Sequence, residues 1–216
     1  MPLNLRQLHQ ELCANPRRFL LTYPMRLSGH AKSLVVQFEL EDRERKGMRP
    51  GHNLGYLAMK EADTLRIGVK GSGARKNVER FDFMALNLRM QPMSDNIEPL
   101  ELDGGGPGLM LTAQLSGCAL VIWHDKSGKL SVAHVQPPAN EDATKLPAML
   151  KAQCKGAARI YGSGDDLESY SHKKVFCSVV GVRDNKDVWQ IFSQEYSAGG
   201  DEITRVVRLW PDFAQM

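Results

Sequence analysis

Two apolar, strand-like runs, Ala119 to Asp125 and Lys129 to Gln136, flank the turn signal DKSGK, with glycine near its end. An antiparallel hairpin is the reading this pattern leaves. A two- or three-residue loop sets Asp125 against Gly128 or Lys129, and so sets Cys118 against Val135 or Gln136. His134 then stands one or two positions away from the thiol. A bulge or a slightly different loop brings Cys118 and His134 into direct opposition, where Cβ atoms lie about 4.5 to 5.5 Å apart. A one-residue slip turns the two side chains to opposite faces.

The rest of the chain reads as strands broken by few helices. Leu5, Leu8 and Leu12 recur at helical spacing in the opening segment Leu3 to Ala14, which Pro16 stops. Strand signals follow at Phe19 to Tyr23, Leu34 to Leu40, Leu65 to Val69 and Phe81 to Leu88. The charged, glycine-punctuated stretches EDRERKGMRPGHN and KGSGARKN read as exposed loops, and LDGGGPG (102–108) as a turn cluster dividing the chain. Past Pro138, Asn140 is placed to cap a helix that carries Glu141 and Asp142 in its first turn and Pro147 awkwardly inside. The tail reads as strands at Lys174 to Val182, Val188 to Glu195 and Ile203 to Trp210. The weak alternation of ALVIW (119–123) predicts a central strand covered on both faces. The expected class is α+β: a layered, sandwich-like core of mixed β-sheet flanked by helices, with residues 1–216 as one catalytic domain.

Composition closes off several functions. Lys and Arg total 28 against 25 Asp and Glu, a net charge of +3, which supplies no strong field for nucleic acid or an anionic membrane. The longest apolar run, Cys118 to Trp123, falls far short of the roughly 18 to 20 residues of a spanning helix. Arg6, Glu11, Arg17 and Arg18 interrupt the opening segment, so no Sec-type signal is expected. Cys13, Cys118, Cys154 and Cys177 show no paired spacing and are expected as reduced thiols. Neither cofactor nor resident metal is expected. His9 and Cys13 stand at i and i+4 without a matching second half, and neither GSGARKN nor GGGPG has the ending of a phosphate loop.

Cys118 is the residue with chemical promise. Ser116 and Gly117 make a small approach that lets a carbonyl reach backbone N–H groups, an oxyanion site in waiting. A protonated His134 nearby would depress the thiol pKa from roughly 8.5 and later hand a proton to a leaving amine. The bland reading stands beside it: CALVIW by pattern alone suits a packed core cysteine, and His134 a satisfied strand histidine. His124 shares the strand face but lies about 20 Å along it, too far to serve that thiol.

The order LSGC (115–118), strand, short turn, and a second strand bearing His134 in AHVQP resembles the active-site hairpin of the glutamine deamidase toxins. That family includes the catalytic domain of cytotoxic necrotizing factor and the Burkholderia lethal factor. The likeness covers Leu109 to Pro138, and TAQLSGC adds a threonine, Thr112, six positions before the cysteine. The resemblance implies Cys118 as nucleophile, His134 as general acid/base and Thr112 as the residue orienting the imidazole; Gln136, on the same face as His134, is the alternative orienter. It implies a deamidase-toxin-like fold and hydrolysis of a glutamine side chain on a host protein, either a translation-initiation helicase or a Rho-type GTPase. Inhibited translation initiation would follow from the first target. A monomer delivered to the host cytosol is expected, or a bacterial cytoplasmic enzyme of the chemoreceptor-deamidase kind. A papain-like protease shares the order Cys before His but places its histidine over a hundred residues later. A non-enzymatic binding module with a structural Cys118 is the remaining alternative.

Overall fold

The structure is a computed structural model and describes residues 4–23, 25–28, 35–43, 64–69, 80–102, 105–155, 158–164, 169–197, 202–211 and 214–215. Most of EDRERKGMRPGHN and all of KGSGARKN lie outside these residues.

Helix α1 (Leu5–Ala14) buries the three leucines that its spacing predicts, and the Asn4 side chain accepts from the Gln7 N–H at its start. Pro16 does more than end α1. It opens α2 (Pro16–Thr22), which the Asn15 side chain caps on the Arg18 N–H. The strand expected at Phe19 to Tyr23 is therefore helical. Cap and proline act together, and burial of Phe19 and Leu20 outweighs their β propensity.

The strands, in chain order, are β1 (Met25–Ser28), β2 (Val35–Arg43), β3 (Thr64–Val69), β4 (Arg80–Leu88), β5 (Met90–Pro92), β6 (Leu100–Leu102), β7 (Leu109–Thr112), β8 (Ala119–His124), β9 (Leu130–Gln136), β10 (Arg159–Ser163), β11 (Ser169–Tyr170), β12 (Val175–Arg183), β13 (Trp189–Ser197), β14 (Ile203–Trp210) and β15 (Ala214–Gln215). They form two mixed sheets. A nine-stranded sheet runs β1-β3-β2-β4-β7-β12-β13-β14-β15, and a six-stranded one runs β11-β10-β8-β9-β5 with β6 also on β9. Parallel pairs occur in each: β1 with β3 and β4 with β7, then β5 with β9 and β10 with β11.

Side-chain alternation sorts the core into three apolar zones. Leu5, Leu8, Leu12, Phe19 and Leu20 cover one face of the larger sheet, against Leu109, Leu111, Val180 and Val206. Between the sheets lie Leu88, Met110, Cys118, Leu120, Ile122, Val132, Tyr161, Val179 and Val207. On the far face of the smaller sheet, Ala119, Val121, Ala133 and Val135 meet Leu146 and Leu150 of α3 (Leu146–Gln153). The order is helix, sheet, sheet, helix, and β8 is covered on both faces as ALVIW predicts. The helix expected to begin at Asn140 starts later. Asp142 caps a 3-10 turn, Ala143–Lys145, and Pro147 sits in the first turn of α3, where its missing N–H costs nothing. No helix among the described residues is long and apolar enough to cross a membrane.

Candidate active site

The hairpin takes its three-residue loop. Asp125 and Lys129 close it through the Asp125 N–H on the Lys129 carbonyl, 2.9 Å, and Asp125 Oδ1 accepts from the N–H groups of Ser127 and Lys129. β8 and β9 then pair Ala119 with Val135 and Leu120 with His134. Carried one residue further, Cys118 faces Gln136. The direct opposition of Cys118 and His134 does not form, because no bulge interrupts the pair. They are diagonal neighbours on one face, both turned into the space between the sheets. Such neighbours lie about 7–8 Å apart at the backbone, within reach of longer side chains.

Thr112 arrives from the other sheet. It ends β7, beside Leu88 at the end of β4. There the chain crosses between sheets twice, from Leu88 to Met90 and from Thr112 to Cys118. The second crossing is pinned by Leu115, which exchanges backbone hydrogen bonds of 2.8 and 3.2 Å with Cys177 on β12. Thr112 Oγ1 lies 2.7 Å from His134 Nδ1 and donates to the Leu88 carbonyl at 2.8 Å. A hydroxyl has one proton. With that proton on the Leu88 oxygen, Thr112 accepts from Nδ1–H, and this sets the tautomer of the neutral ring: Nδ1 protonated, Nε2 carrying the in-plane lone pair. Thr112, not Gln136, thus meets the ring at Nδ1.

Cys118 has little exposure, 5%, while His134 is fully buried. Ser116, two residues earlier, is exposed and Gly117 is buried. Gly117 adopts φ +86°, and a Cβ there would come 3.2 Å from that of Ala143. Only glycine takes this turn without strain. Burial pushes the Cys118 thiol above its ordinary value, and the Ser116 N–H offsets part of that rise. The depressed thiol pKa expected from an adjacent imidazolium is therefore not the resting state: desolvation dominates and favours the neutral thiol.

Sequence reading missed three neighbours. Met90 pairs with His134 across β5 and β9 and sets its sulfur 3.8 Å from Cys118 Sγ. The Leu88 carbonyl takes the Thr112 proton. Tyr170 donates from β11 to the Cys118 carbonyl at 2.8 Å. None carries a local motif, since each is brought in by strand order. His124 is elsewhere, ring to ring with Trp210 and bonded to the Gly128 carbonyl at 2.8 Å. His9 Nε2 and Cys13 Sγ lie 3.9 Å apart beside Phe81 and Phe83. All four cysteines are free thiols, and no metal-binding cluster occurs among the described residues.

No protein-family model matches the sequence, and no curated protein is similar enough to it to count as a relative.

Proposed function

We propose that the chain is a protein glutamine deamidase with Cys118 as nucleophile, His134 as proton carrier and Thr112 as the residue positioning the imidazole. The observation that carries this reading is the 2.7 Å contact between Thr112 and His134 Nδ1 on the same inter-sheet seam as Cys118. A buried histidine whose Nδ1–H is committed to a hydroxyl is prepared to act as a base at Nε2.

The chemistry begins from the neutral thiol. His134 Nε2 takes the Cys118 proton as the sulfur adds to the carbon of a glutamine carboxamide. Backbone N–H groups along Ser116, Gly117 and Cys118 receive the charge that develops on the amide oxygen. His134 then delivers its proton to the amide nitrogen, and ammonia leaves a thioester on Cys118. Water, deprotonated by the same imidazole, attacks the thioester carbon; the sulfur leaves and recovers a proton, and glutamate remains on the target. The new negative charge is enough to disrupt an interface through repulsion and desolvation.

The resemblance around LSGC points to a host protein as target, either a translation-initiation helicase or a Rho-type GTPase, reached after delivery to the host cytosol. Incubating a host-cell extract with the wild type and with Cys118→Ser, followed by mass spectrometry, tests activity and target together. Glutamine-to-glutamate conversion that depends on Cys118 is the expected result. Identical peptide spectra in the two incubations would remove the proposal.

A further inference from the structure

We infer that Ser163 and His172 form a polar wall on the β10 side of the Cys118 thiol and recognise the amide N–H of the substrate, which makes them specificity-determining residues. The inference rests on the deamidase reading and extends it to how a carboxamide is told from a carboxylate. β8 has two neighbours. β9 brings His134, and β10 runs antiparallel along the other edge with Arg159 against Ile122 and Tyr161 against Leu120. Continuing that register sets Gly162 against Ala119 and Ser163 against Cys118. The close approach at Gly162 agrees, because a Cβ there would come 3.1 Å from the Ala119 Cβ. Tyr161 packs inward with Leu120, so Ser163, two residues on, shares the face of the thiol. Tyr170, the parallel partner of Ser163, ties this edge to the Cys118 carbonyl.

Ser163 is 2% exposed, and its hydroxyl is hydrogen-bonded to Nδ1 of the half-buried His172. A hydroxyl buried beside leucine and tyrosine is costly unless bonded, and an alanine would fill the position without needing a partner. On this inference the serine proton lies toward His172 Nδ1. The lone pairs on Oγ are then left to accept. A carboxamide supplies N–H groups to such an acceptor. A carboxylate supplies none, and its charge is repelled. Ser163 therefore favours the substrate glutamine over the product glutamate, a distinction that Thr112 and His134 do not make.

Iodoacetamide and iodoacetate differ in this one respect, so the ratio of their alkylation rates at Cys118, relative to an unfolded-peptide thiol, reads the wall without knowledge of the protein target. The wild type is expected to prefer iodoacetamide beyond the peptide reference. Ser163→Ala and His172→Leu are expected to lower that preference about three- to tenfold, the worth of one hydrogen bond, while His172→Asn, which keeps an acceptor near Nδ1, retains it. The His172 pair keeps the test valid if Ser163→Ala fails to fold. An unchanged ratio in His172→Leu, with Cys118 still labelling faster than the peptide, overturns this inference alone. Wild-type Cys118 labelling no faster than the peptide overturns the deamidase reading as well.

Discussion

At the residue scale, the site depends on where a few protons sit. Thr112 has one to give and gives it to Leu88, so His134 must hold its own on Nδ1. Cys118 keeps its proton at rest because burial disfavours the thiolate. Its reactivity near neutral pH must then come from transfer to His134 rather than from standing ionisation. Removing the base should expose the raised thiol pKa: in His134→Ala, the midpoint of the labelling-rate curve should move above the value of about 8.5 for an exposed cysteine, since a raised pKa keeps the thiol protonated to higher pH. Superposable curves for wild type and His134→Ala would show that the imidazole does not serve the sulfur. Thr112→Val removes the ring's partner and strands the Leu88 carbonyl, and turnover should fall about 10²-fold, with Thr112→Ser restoring most of it. Equal turnover in Thr112→Val would leave the threonine only a packing role.

At the element scale, two hairpin turns solve the same problem with different residues. In DKSGK, Asp125 gathers the N–H groups of Ser127 and Lys129, and Gly128 takes φ +83°. In DNKDV (184–188), Asp184 gathers those of Lys186 and Val188, and Asp187 takes φ +61°. The first is announced by its glycine. The second is not, because aspartate enters the left-handed region often enough to replace it. Similar limits apply to the helices. The leucine spacing of α1 is legible, whereas α2 depends on a cap and a proline that also look like a helix end. The crossing loop is more demanding. Gly117→Ala must take a left-handed φ and meet Ala143, so a loss of about 1–2 kcal/mol is expected, measurable by denaturant unfolding. Labelling of Cys118 should slow as the peptide before it reorients. Wild-type stability and labelling in Gly117→Ala would mean that this turn does not place the thiol.

At the scale of the whole molecule, the two sheets are joined by more than apolar contact. Tyr161 of β10 donates to Glu195 of β13 at 2.5 Å, and Arg205 of β14 pairs with the same carboxylate while donating to the Ser169 carbonyl. Burial, the largest influence on the Tyr161 hydroxyl, raises its pKa well above normal and keeps it a donor. Arg205→Ala leaves Glu195, 5% exposed, without its counter-charge. A cost of about 3–5 kcal/mol is expected, with the double variant Glu195→Leu/Arg205→Met recovering much of it; a change below about 1 kcal/mol for Arg205→Ala, as for a surface pair, would show that the network does not bind the sheets together. This network lies on the same edge of the smaller sheet as Tyr170 and Ser163, so that edge is anchored to the larger sheet.

The alternating and continuous apolar runs, the turn residues and the order of Cys118 before His134 are local features. They determined the hairpin, its short loop and the central position of β8, but left the common face of thiol and imidazole to the choice between a two- and a three-residue loop, because register follows from loop length and a period of two. The contact of Thr112 with Nδ1 and the burial that holds the thiol neutral were decided only by the packing of one sheet on the other, and the approach of Met90, Ser163 and Tyr170 only by the order of strands within the smaller sheet. Those groups come from β5, β7, β10 and β11, whose order in space no short stretch of sequence encodes, and desolvation is a property of everything that surrounds the sulfur.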